Sequence, residues 1–60
     1  MAYLVTDLRK VVKGYFFEVD NLGTMHVYKT EDMKYVDCIY LCVKPTRDKF
    51  ESAIEEWLIK

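Results

Sequence analysis

The chain has 60 residues, nine of them Lys or Arg and ten Asp or Glu, for a net charge of −1. One domain over residues 1–60 is the most this length allows, and a chain so short hides only about 60 % of the surface its unfolded form exposes. The near-neutral, well-mixed charge argues against a generic polyanion binder and equally against an acidic nucleic-acid mimic.

Residues 2–13 carry two patterns. Leu4, Leu8, Val11 and Val12 have helical spacing, with Thr6 as a cap and Gly14 as a stop. Alternatively, Ala2 to Thr6 is a strand, and Val11 to Val19 is one long strand with Gly14 at a bulge. We take the strand reading, because β-branched and aromatic residues dominate.

Residues 15–19 (YFFEV) and 24–29 (TMHVYK) flank Asp20-Asn21-Leu22-Gly23, a hairpin signal. A three-residue loop puts Gly23 at the left-handed position such loops favour. It sets Val19 opposite Met25 and Phe17 opposite Val27 on one apolar face. Glu18 then faces His26, and Phe16 faces Tyr28, on the other. A four-residue loop scatters the apolar set, since a one-residue slip sends every side chain to the wrong face.

The polar stretch 30–34 is a loop. Residues 35–44 (YVDCIYLCVK) follow, apolar on both parities. A strand with one wet face alternates apolar with polar; this run barely does, which predicts a mid-sheet strand covered on both sides. Pro45 ends it. Thr46 is a good N-cap, and Asp48 in the first turn complements the helix dipole. Phe50, Ile54, Trp57 and Leu58 recur at helical spacing, with Ala53 beside them. Glu56 and Lys60 form a favourable i,i+4 pair. The expected fold is α+β: a small antiparallel meander of three to four strands followed by one C-terminal amphipathic helix.

One helix covers one sheet face. It is expected over Phe17, Val19, Met25, Val27, Ile39, Leu41 and Val43. Phe16, Tyr28, Tyr40, Cys38, Cys42, His26 and Glu18 are left on the reverse face, with Tyr35 on the Ile39 side. The reverse face needs the N-terminal segment, a second copy or another molecule to cover it. With nine aromatics in the chain, some should line an interface, where Tyr and Phe are enriched.

The two cysteines, Cys38 and Cys42, share a strand face about 13 Å apart, too far to bridge. Free thiols point to a reducing, cytoplasmic setting. The N-terminus lacks a signal-peptide pattern, and no run is long enough to span a membrane. His26, Cys38 and Cys42 lack the tight pairs of a zinc site, so no metal or other cofactor is expected. A Cys38–His26 nucleophilic pair lacks an orienting third group and an oxyanion loop, so no enzyme is expected. His26 is instead expected to contact Glu18 across the hairpin. Asp37, a residue depleted in strands, is expected partly exposed or paired. Arg9, Lys10 and Lys13 form the one basic cluster, a solvated turn or a phosphate contact.

The segment GYFFEVDNLGTMHVYKT resembles, in its aromatic start and polar-Gly turn, the first hairpin of the small DNA-arm-binding domains of tyrosine recombinases. TRDKFESAIEEWLIK resembles their terminal helix. The resemblance covers most of the chain in outline, implies a three-stranded sheet closed by a helix with DNA contacts, and assigns no family.

The expected function is a small non-enzymatic protein-binding module, a regulator or phage-type inhibitor that sterically occupies a host protein surface and self-associates as a homodimer. Its binding residues would be Phe16, Tyr28, Tyr40, Cys38, Cys42 and His26. The alternative is a nucleic-acid-binding module using Arg9, Lys10, Lys13 and the aromatic face.

Overall fold

The computed structural model describes residues 8–59. Four strands, β1 (Arg9–Val12), β2 (Tyr15–Val19), β3 (Thr24–Lys29) and β4 (Tyr35–Tyr40), pair antiparallel in the order β1-β2-β3-β4. One helix, α1 (Arg47–Ile59), follows. The α+β meander with a closing helix is thus the fold of this chain. The Ala2–Thr6 strand lies outside the described residues.

The β1–β2 connection corrects the expected long strand. Lys13 and Gly14 both have positive φ, 52° and 83°, the signature of a two-residue hairpin turn whose twist suits the flanking strands. Gly14 therefore reverses the chain instead of bulging it. Val12 then sits opposite Tyr15, and Val11 opposite Phe16.

The β2–β3 hairpin has the expected register: Val19 opposite Met25, Phe17 opposite Val27, Glu18 opposite His26 and Phe16 opposite Tyr28. Asp20 N–H donates to Thr24 O (3.0 Å), and Gly23 carries φ 91°. The Asp20 carboxylate oxygen Oδ1 accepts from the N–H groups of Leu22 (2.9 Å) and Thr24 (3.0 Å), pinning the loop. Gly23 has a second constraint. A Cβ there would lie 1.7 Å from the Cys42 carbonyl oxygen, because the segment after β4 crosses over the loop and Leu41 N–H donates to Gly23 O (2.9 Å).

β4 departs most from expectation. It ends at Tyr40 and, among the described strands, lies at the sheet edge, largely exposed, instead of in the middle with both faces covered. The register shifts between Val27 and Tyr28. This β-bulge inserts one residue on β4, so Tyr35 swings from the Ile39 side to the reverse face, opposite Tyr28. Val43, expected under the helix, is 67 % exposed.

The core lies between α1 and one sheet face. Leu8, Phe17, Val19, Met25, Val27, Phe50 and Ile54 are buried, with Val12, Tyr15, Ile39, Leu41, Ala53, Trp57 and Leu58 packed around them. Thr46 caps α1: its Oγ1 accepts Lys49 N–H at 3.2 Å. Trp57 anchors the other end, edge-on to Tyr15 (4.9 Å) and Phe17 (5.6 Å). Its indole Nε1–H donates to Asp37 Oδ2 at 3.0 Å. Asp37 in a strand is thereby accounted for: it is exposed at the edge and ties β4 to the helix.

Candidate functional site

Opposed residues of an antiparallel pair point to the same face. The reverse face therefore carries Val11, Phe16, Tyr28 and Tyr35 as one row across the four strands, and Arg9, Glu18, His26 and Cys38 as the next, with Tyr40 opposite Thr24. No described element lies over these rows. Tyr35 (51 %), Tyr40 (60 %) and Val11 (60 %) are exposed, while Phe16, His26 and Tyr28 are half-buried by their neighbours.

The aromatic row is internally packed. Phe16 and Tyr28 lie 6.1 Å apart, and Tyr28 meets Tyr35 edge-on at 5.3 Å. Such pairs add about 0.5–1.5 kcal/mol beyond burial and hold the rings in place.

His26 is fixed at both nitrogens. Nε2 lies 2.8 Å from Asp20 Oδ2, and Nδ1 lies 2.9 Å from the Tyr35 hydroxyl. Glu18 is opposed to His26 as expected, but the polar partners of the ring are Asp20 and Tyr35. Asp20, next to the turn, reaches the ring first, and the bulge brings Tyr35 to its other side. The hydrogen bond from His26, followed by that from Thr24 N–H, holds the Asp20 carboxyl below its ordinary value. The Tyr35 hydroxyl is pushed up to about 12, chiefly by its hydrogen bond with the Cys38 thiol. His26 and Cys38 are opposed on neighbouring strands, with Asp20 on Nε2 of the ring and the Tyr35 hydroxyl on Nδ1.

Of the six expected binding residues, Phe16, His26, Tyr28, Cys38 and Tyr40 share this face. Cys42 lies beyond the end of β4, half-buried beside the Gly23 loop, and both thiols are free. The basic trio is dispersed. Arg9 is on the reverse face opposite Glu18; Lys10 is on the helix face, its Nζ 3.7 Å from Glu51 Oε2; Lys13 forms the turn. Among the described residues, no group of three or more His, Cys, Asp and Glu is placed to hold a metal.

Sequence reasoning missed Tyr35, Val11 and Asp20. Tyr35 is displaced by a bulge that leaves no residue signature. Val11 follows from the Lys13-Gly14 turn, for which Gly14 was the available signal. Asp20 was legible as the shoulder of the hairpin loop, where Asp favours bonding to backbone two residues on.

No protein-family model matches this chain, and neither a curated protein nor a solved structure matches it.

Proposed function

We propose that the chain is a small non-enzymatic protein-binding module that acts sterically, seating its reverse sheet face on a protein surface and associating with itself through that face. The observation that carries this reading is the braced aromatic row Val11–Phe16–Tyr28–Tyr35, with Tyr40 beside it, which no described element covers. Rigid aromatics at the centre of a patch are the usual energetic anchors of interfaces, because little side-chain entropy is lost when they dock. A cytoplasmic setting is part of the proposal and rests on the free thiols. No described helix is long and apolar enough to cross a membrane.

Phe16→Asp tests the reading well away from β4. The wild-type chain is expected to self-associate in sedimentation velocity, and the variant to run as a 7.2 kDa monomer with unchanged far-UV circular dichroism. Association should persist at 0.5 M salt. An affinity for nucleic acid that collapses between 50 and 200 mM salt would instead point to phosphate contacts.

A further inference from the structure

The β4 edge and the wall of α1 beside it border a groove that lies apart from the reverse face. The N–H of Leu41 donates to Gly23 O. By the alternation of an antiparallel ladder, Ile39 and Asp37 also turn their backbone groups toward β3, whereas Cys38 and Tyr40 turn theirs outward. The edge contains no Pro or Lys between Tyr35 and Tyr40, the residues that commonly blunt such edges. At the opposite edge, β1 carries Arg9 and Lys10.

Alongside β4 runs a groove of about 490 Å³ between strand and helix. Ile39, Leu41, Ala53 and Trp57 supply its apolar part, and Asp48 and Glu56 its acidic rim, with Lys49 the one cation among the described lining residues. A second hollow, of about 390 Å³, adjoins it where Ile39 and Trp57 meet Asp37. A strand edge to which no described strand is paired, next to a helix-walled apolar groove, is the arrangement that accepts an extended peptide as an added strand, whose alternate side chains enter the groove.

The edge is guarded. Asp37 Oδ1 accepts the outward N–H of Cys38 at 2.8 Å, while Oδ2 holds Trp57. A neutral strand would have to compete with a carboxylate for that donor. A cationic side chain on the incoming strand draws the carboxylate to itself and frees Cys38 N–H for the new ladder. The charge of Asp48 and Glu56 against Lys49 selects in the same direction.

We propose that the β4–α1 groove binds an extended segment of a partner protein in which basic residues alternate with aliphatic ones, paired antiparallel to β4. Two acetylated, amidated nonapeptides test it: one alternating lysine and valine, the other glutamate and valine. Titrated into the ¹⁵N-labelled full chain, the lysine peptide should shift the Cys38 and Tyr40 amides and the Trp57 indole, and slow exchange at the Cys38 amide. The glutamate peptide should bind at least tenfold more weakly. Asp48→Asn with Glu56→Gln, both at exposed positions, should weaken the lysine peptide at least fivefold; Phe16→Asp should leave it unaffected. The proposal is overturned by equal binding of the two peptides, by shifts confined to the reverse face, or by no shifts at millimolar peptide. It is also overturned if the edge is already occupied by a second copy, seen as a doubled mass with the Cys38 amide protected before any peptide is added.

Discussion

At the residue scale, two glycine-type positions and one hydrogen-bonded chain decide much of the behaviour. Gly23 combines a left-handed backbone with a carbonyl oxygen where its Cβ would be. Gly23→Ala should therefore destabilise by roughly 3 kcal/mol or more in urea unfolding, a large share of what holds so small a domain. Lys13 shows the opposite case. Its left-handed conformation (φ 52°) is borne by a side chain that gains nothing there, so Lys13→Asn should raise stability by about 0.5 kcal/mol. The Asp20–His26–Tyr35 chain has a pH signature. A carboxyl whose folded pKa is depressed stabilises the native state above its unfolded value, about 3.9, and that contribution is lost as pH falls through the folded value. Asp20→Asn should thus flatten the acid limb of the stability curve below about pH 4. For Tyr35 the sign is reversed: raised to about 12, it favours the native state below pH 10 and ceases to as pH climbs past the folded value. Ultraviolet titration at 295 nm should show a tyrosine ionising near 12 that is missing in Tyr35→Phe.

At the scale of elements, the hairpin and the helix were legible because local chemistry and side-chain pattern agree there. The Asp-Asn-Leu-Gly loop allows one sensible register, and Thr46 with Phe50, Ile54 and Trp57 marks a capped amphipathic helix. The third strand misled because apolar residues on both parities have two physical origins. Burial on both faces is one. The other, found here, is an edge strand whose bulge sends Tyr35 to the reverse side while Ile39 and Leu41 stay at the helix. A single strand's composition does not distinguish these; its neighbours in the sheet do. The same edge makes Asp37 the element's safeguard against indiscriminate pairing. Asp37→Leu should increase light scattering and irreversible aggregation on heating, and should shift Trp57 fluorescence as its Nε1–H loses its acceptor. Unchanged scattering would mean that the bulge alone protects the edge.

At the scale of the whole molecule, the division is between a helix-covered face and an aromatic face with no described cover. The five fully buried large side chains among the described residues, Phe17, Phe50, Met25, Val19 and Val27, all lie on the helix side, so reverse-face substitutions can probe binding without emptying the core. Composition led to the expectation of surplus apolar surface, and five of the six residues named from the sequence share the reverse face. The sixth, Cys42, follows the end of β4, which stops sooner than its apolar run. The most direct measurement is sedimentation velocity of the wild-type chain and Phe16→Asp across 5–500 µM in 0.5 M salt. The proposed function requires a concentration-dependent increase in mass for the wild type and a monomer of 7.2 kDa for the variant. A wild type that stays monomeric throughout, or a variant that associates equally well, would contradict it.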